Sequence, residues 1–367
     1  MTALSPPIHV YTIPSELSFV DALAVGLTAR AIDSSFDLVD FTVFLPTRRA
    51  VRSLREAFLR LSDGSPLLLP RMTPLGDLDE EELAIAGWQE LPIVLDGHDT
   101  INFPDAISTM QRHLMLTKRI QKLEGDEISV DQAARLAMEL SSLLDQVQTE
   151  QLNFSQLHSL VPDEYAEHWQ RTLKFLEILT EFWPEILKDK GLVDPAERRN
   201  IVMKTQLLHW INNPPHKPII VAGSTGSIPA TADLIQFIAR LPEGCVILPG
   251  LDCSLDPVYT NDSETHPQHG MHRLLSKMNL KPENIPRWPK QEITNKIKCA
   301  PASRSQLIFN VMWPANKVDE WRLLESPGEI ALEGVESIAC PGLDEEAGVI
   351  ALKLRETLDI HGKTAAL

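Results

Sequence analysis

Thr47-Arg48-Arg49-Ala50-Val51-Arg52-Ser53-Leu54-Arg55 places four arginines behind a hydroxyl in one short stretch. Guanidinium groups hold phosphate oxygens through full charge and paired N–H donors. Such contacts fix a protein on a nucleic acid without reading its sequence. The alternative is a solvated arginine face with an Arg52–Glu56 pair, which is worth little. A second stretch, Gly223-Ser224-Thr225-Gly226-Ser227, sets small hydroxyl residues between glycines. As a G-x-x-G-x-x-G turn it could take a dinucleotide, with Asp252 holding a ribose. Pro229 stands where the third glycine belongs, and no Tyr-x-x-x-Lys occurs in the chain. It can also be a tight strand-to-helix turn without a ligand, and a third reading depends on the rest of the chain.

Other reactive residue types are less ordered. Asp77, Asp79, Glu80, Glu81 and Glu82 point in different directions on a forming helix, so they read as a solvated helix start and not a metal site. His266, His269 and His272 recur every third residue, but Pro267 and Gly270 favour a loop followed by a helix start. Cys245, Cys253, Cys299 and Cys340 form no C-x-x-C pair, so no zinc or iron–sulfur site is expected from this chain alone. Gly362-Lys363-Thr364 imitates the end of a phosphate loop, but Thr357 stands where its first glycine should be.

The elements that must hold these residues follow from apolar patterning. Ile219 to Ala222 and Val246 to Leu248 are buried strands flanking a helix that starts near Pro229, a βαβ unit of a parallel sheet. Its loop lies where such sheets bind ligands. Ile8 to Thr12, a helix over about Ser18 to Ala31, and Phe41 to Leu45 form an earlier unit. The loop after its first strand, Ile13-Pro-Ser-Glu-Leu-Ser-Phe19, has neither the glycines nor the lysine of a phosphate loop. Thr47 can cap the next helix, whose apolar face is Val51, Leu54, Phe58 and Leu61, while Arg48, Arg52 and Arg55 share another face. Leu67 to Leu69 suggests a strand, and the acidic helix start follows within Arg71 to Leu83.

Phe103 to about Asn213 is helical in kind. Ser129 with Gln132, and Asp194 with Pro195 and Glu197, mark helix starts. One helix spans about Ser129 to Gln148, with Ala133, Ala137, Leu140, Leu144 and Val147 on a face. Another runs from about Pro162 to Lys188, broken near Pro184. Lys281 to Ser305 reads as a surface connection. Val335 to Cys340 reads as a strand, Glu345 to Leu358 as a helix with Ala347, Ile350, Ala351 and Leu354 inward, and Thr364 to Leu367 as the beginning of a further strand that continues in a longer protein.

With 367 residues, 43% hydrophobic and 23% charged, the chain has the composition of an ordinary globular protein of about two domains. A net charge of −17 argues against non-specific DNA binding by the whole surface, but leaves room for a local basic groove. No membrane span or secretory signal is read, and the cysteine usage suits a reduced, cytoplasmic chain.

Several segments in order resemble the N-terminal part of the AddB family of double-strand break repair proteins, in its alphaproteobacterial form. They are Phe44-Leu-Pro-Thr-Arg-Arg-Ala-Val-Arg-Ser-Leu-Arg-Glu-Ala-Phe58, Leu68-Leu-Pro-Arg-Met-Thr-Pro-Leu-Gly-Asp-Leu-Asp79, Gly191-Leu-Val-Asp-Pro-Ala-Glu-Arg-Arg-Asn200 and Val221-Ala-Gly-Ser-Thr-Gly-Ser-Ile-Pro-Ala-Thr-Ala-Asp-Leu234. His266-Pro-Gln-His-Gly270, Asp344-Glu-Glu-Ala347 and Gly362-Lys-Thr-Ala-Ala-Leu367 complete the set. The resemblance covers nearly the whole chain. It implies an α/β, parallel-sheet fold of the P-loop, superfamily 1 helicase type with a decayed ATP site and a large helical insertion. The expected division is 1–102 and 214–330 for the helicase-like α/β domain, 103–213 for the insertion, and 331–367 for the start of a second α/β domain. It also implies work with the motor subunit AddA in unwinding and resecting broken DNA ends, a part in Chi recognition, and no catalysis by this chain. Thr47, Arg48, Arg49 and Arg52, with Ser224, Thr225 and Ser227 of the glycine-flanked loop, are the expected DNA contacts. The family's nuclease, with its iron–sulfur cluster and magnesium, lies beyond the segment present here.

Overall fold

Short apolar runs bounded by glycine and proline must be covered on both faces, and they organise this chain's core. The computed structural model describes residues 7–75, 104–125, 128–154, 175–253, 264–289, 297 and 299–367. In chain order the strands are β1 (Val10–Ile13), β2 (Thr42–Leu45), β3 (Arg71–Pro74), β4 (Asp105–Ala106), β5 (Leu192–Val193), β6 (Ile219–Ala222) and β7 (Gly244–Pro249). Five of them form one parallel sheet in the spatial order β1, β7, β6, β2, β3. The chain is therefore α/β with a parallel sheet.

Alternate residues of each strand feed two cores. Cys245 and Ile247 of β7, with Ile220 and Val43, pack under α1 (Phe19–Asp33) and α2 (Arg48–Ser62). Val246 and Leu248, with Val221 and Phe44, pack on the opposite face. That face is covered by helices still to come in the chain, one of which follows β6 directly.

Between β3 and β6 lies the helical region. α3 (Thr109–Glu124) and α4 (Val130–Thr149) pair through Leu116, Ile120, Ala133, Ala137, Leu140 and Leu144. The expected capping box is present: the Gln132 N–H donates to Ser129 Oγ at 3.2 Å and the Ser129 N–H to Gln132 Oε1 at 3.0 Å. The break expected near Pro184 takes the form of a wide π turn over Ile178–Phe182, followed by α5 (Trp183–Lys190). Proline has no N–H to continue the ladder, and the turn widens ahead of it. β4 and β5 add a two-residue parallel pair that sequence patterning does not reveal. α6 (Pro195–Asn212) begins beside the helical core, and its Val202 and Met203 join the sheet core against α7 (Pro229–Ile238). α8 (His269–Lys277) completes that layer through Met271, Leu274 and Leu275.

Several expectations fail here. Leu67 and Leu68 are exposed and not in a strand; β3 begins after Pro70, where the Arg71 N–H reaches Phe41 O at 2.9 Å. The acidic run Asp77 to Glu82, read as a helix start, lies outside the described residues, as does 162–174 of the second long helix. Leu61 is 38% exposed and not part of the buried α2 face. The stretch near Trp288 is not a surface connection: Trp288 is buried, edge-on to Tyr11, in space left by the missing side chain of Gly26.

Past α9 (Ala302–Val311) and α10 (Gly328–Leu332), 335–340 and 364–367 form no strand. An apolar run becomes a strand only when a neighbour pairs its N–H and C=O groups, and none of the described strands does so. α11 (Leu343–Leu358) forms as expected, but Ala347 and Ala351 are exposed and Ile350 and Leu354 only half-buried. Among the described residues no helix is long and apolar enough to cross a membrane.

Candidate functional site

Adjacent parallel strands whose chains leave toward opposite faces open a crevice at their carboxyl ends, and ligands of open α/β sheets bind there. β2 and β6 are such a pair, with Thr42 opposite Ile219 and Phe44 opposite Val221. After β2 the chain enters α2 on one face; after β6 it enters α7 on the other. The crevice between them has a volume of about 160 Å³ and is lined by Pro46, Leu75, Gly223, Ser224, Thr225 and Thr231, with Ser227 and Ile228 at the start of α7. Loop 223–228 thus shares the crevice with Pro46, the residue before Thr47, while Thr47, Arg48, Arg49 and Arg52 are not in its lining.

The loop after β6 is held from several sides. Gly223 and Gly226 have φ of +77° and +63°, a region L side chains rarely adopt. A Cβ at Gly226 would lie 2.9 Å from Leu274 Cδ2 of α8. The Gly226 N–H donates to Ser224 Oγ at 3.4 Å. Arg273 of α8 donates to Ser227 O and pairs with Glu150 at 3.9 Å.

The donor inventory is unusual. α7 starts with Ile228 as its N-cap and Pro229 at its first position, so no side chain caps it. The Ala232 N–H bonds Ile228 O at 2.9 Å. Among the described residues, the N–H groups of Ser224, Thr225, Ser227, Ala230 and Thr231 take no protein acceptor. Thr231, 8% exposed, lines the crevice, and its hydroxyl makes no hydrogen bond either.

On the α2 side, Thr47 Oγ1 accepts the Ala50 N–H at 3.1 Å, so its oxygen serves as the helix cap. Arg48 and Arg49 follow directly, exposed on the first turn. Arg52 lies a turn further on, 84% exposed, and pairs with Glu56 at 3.3 Å; it does not line the crevice. α2 carries five arginines against one glutamate, a basic ridge in a chain of net charge −17.

At the β1–α1 junction, carboxylates stand where a nucleotide-binding protein would place phosphates. Glu16 pairs with Arg287 at 3.1 Å, and Asp21, in the first turn of α1, accepts from Ser18 Oγ at 2.6 Å and from Arg60 at 2.5 Å. The ribose role weighed for Asp252 does not suit its position. It is 3% exposed, and its N–H donates to Gln268 Oε1 at 3.1 Å.

The histidine run is a loop and helix start, as expected. His266 Nδ1 accepts the Gln268 N–H at 3.1 Å, which leaves Nε2–H to donate to Met312 O at 2.8 Å. His272 is 1% exposed with neither ring nitrogen hydrogen-bonded, and burial holds its pKa below the ordinary value. Among the described residues no group of three His, Cys, Asp or Glu could hold a metal.

Thr231, Leu75 and Arg273 were not anticipated from the sequence. The signal for Thr231 was present, because a helix opening on Ile228 and Pro229 has no capping oxygen and leaves its first N–H groups exposed. No family model matches the chain, and a comparison with curated proteins returns no match.

Proposed function

We propose that this chain is a non-catalytic, superfamily 1 helicase-like module of the AddB type, which holds the sugar–phosphate backbone of single-stranded DNA and serves as a scaffold for the motor subunit AddA in double-strand break repair. The observation that carries this reading is the donor-rich loop 223–228 at the β2–β6 switch point, packed beside Pro46, the residue that leads into the arginine-rich start of α2. Arginines supply charge that releases counterions from a phosphate chain, and neutral donors add short-range contacts. The carboxylates Glu16 and Asp21 at the β1–α1 junction support an inactive nucleotide site. The parallel sheet with a helical region between β3 and β6 is compatible with the helicase-like fold. The exposed Leu343 and Leu352 of α11 offer apolar surface of the kind a scaffold uses.

The test is fluorescence anisotropy of labelled single-stranded DNA against the chain at two salt concentrations, with and without ATP. Binding that weakens with salt and ignores ATP is expected. ATP-dependent binding overturns the reading, and absence of binding at low salt removes its DNA-binding part and leaves only the scaffold.

A further inference from the structure

We infer that the β2–β6 crevice is a seat for one singly charged phosphodiester phosphate, with Thr231 as its deepest donor. The phosphodiester assignment rests on the DNA-binding reading above; the seat itself rests on the geometry. α7, of ten residues, points an uncapped N-terminus at the crevice. Its partial positive charge favours an anion. Independently of that end, Thr231, a residue 8% exposed, presents a hydroxyl without a hydrogen-bond partner at the wall of the cavity. The residue is more than nine-tenths buried, but its hydroxyl is not among the inaccessible unpaired atoms, so it opens into the crevice and can donate to an occupant there. The adjacent unpaired N–H groups of Ser224 and Thr225 bring further donors to the same space.

The charge of the ligand is read from the described lining residues, among which there is no lysine, arginine or carboxylate. Neutral donors match an oxyanion with one negative charge and two free oxygens, the state of a phosphate inside a nucleic-acid backbone. A terminal phosphate carries nearly two charges and is ordinarily met by lysine, arginine or a metal ion. Arg48 and Arg49 stand outside the lining at the start of α2, suited to the phosphates on either side.

The experiment compares the full chain with Thr231→Val, which keeps the shape and removes the hydroxyl, and Thr231→Ser, which restores it. Each is titrated into labelled oligothymidylate over a range of salt, and inorganic phosphate binding is measured by calorimetry. Thermal melts establish that both variants fold. Loss of a hydrogen bond to a charged group predicts roughly tenfold weaker DNA binding for Thr231→Val. The salt slope should stay unchanged, because a neutral donor displaces no counterion. Thr231→Ser should recover most of the loss. Unchanged DNA affinity in Thr231→Val overturns the seat and leaves the DNA-binding reading standing. Phosphate binding that depends on Thr231, in a chain that does not bind DNA, overturns the phosphodiester assignment in favour of a free-phosphate seat. Silence in both titrations overturns the seat together with DNA binding by this chain.

Discussion

Replacing Asp194 with alanine should loosen the helical region while leaving the sheet intact. Asp194 has a side chain only 2% exposed; it accepts from Trp183 Nε1 at 3.0 and 3.1 Å and from Gln148 Nε2 at 3.0 Å, and lies 3.3 Å from Arg112 Nε. Arg112 is itself 4% exposed on its side chain. Breaking a buried ion pair by removing one partner costs about 3–5 kcal/mol, because the other charge is left uncompensated. Arg112 keeps Asp145 at 2.7 Å and Ser141 O at 2.9 Å, which places the cost at the low end, about 3 kcal/mol. Hydrogen exchange read by mass spectrometry should show about 100-fold faster exchange in α4 and α5 at neutral pH, with β6 and β7 unchanged. A loss below about tenfold, or an equal loss in the sheet, refutes the hub. The pH dependence has a definite sign. Burial raises the Asp194 pKa above 3.8, outweighing Arg112, Gln148 and Trp183, which lower it. The folded state therefore binds the proton more tightly than the unfolded chain. That contribution is fully present below the ordinary value of 3.8 and is lost as pH rises through the folded pKa. Asp194→Asn should abolish this acidic-range component.

Three further outcomes are expected. Arg49→Ala should lower the salt slope of single-stranded DNA binding by about 0.7, so that one contact accounts for about a 2.6-fold change between about 50 and 200 mM salt. Arg52→Ala should do less, because Glu56 already pairs with that charge, and Glu56→Gln should strengthen binding. Gly226→Ala should cost about 2 kcal/mol, since alanine meets both an unfavourable φ and the Leu274 side chain, and should weaken DNA binding with it; a melting temperature equal to the parent's contradicts this. Alkylation at mildly alkaline pH should modify exposed Cys299 and spare Cys245 until urea is added, because Cys245 is fully buried and its thiol is pushed up to about 12; mass spectrometry of the modified peptides decides it.

Local signals were legible where the chain itself supplies the partner. The Thr47 cap and the Val51, Leu54 and Phe58 periodicity place α2, and the Ser129–Gln132 box places α4. β6 and β7 are visible because four or more apolar residues between glycine and proline leave little choice but a strand buried on both faces. The runs at 67–69 and 335–340 form no strand, because pairing is a property of a neighbour that the run cannot specify. Burial of Trp288 is illegible for the same reason: it depends on Gly26, far away in the chain, having no side chain.

The site shows the same division between local and non-local information. Residue type alone singled out Arg48, Arg49, Ser224 and Thr225 as candidates, beside the plainer readings of a solvated arginine face and a tight turn. The packing of loop 223–228 beside Pro46 depended on β2 and β6 becoming neighbours across the helical region, a choice made by topology. Thr231 was signalled only indirectly, by a helix opening on Ile228 and Pro229 without a capping oxygen, since a threonine after Pro-Ala within an apolar helix otherwise reads as packing. Its significance comes from what is missing around it among the described residues: a capping oxygen at position 228, a partner for its own hydroxyl, and a charge in the lining. Unsatisfied donors are a property of the folded arrangement. A donor set with no protein acceptor, gathered at a switch point, locates the proposed anion seat more closely than the arginines do, because arginines on an open surface keep water as an alternative while these donors are fixed in one small crevice.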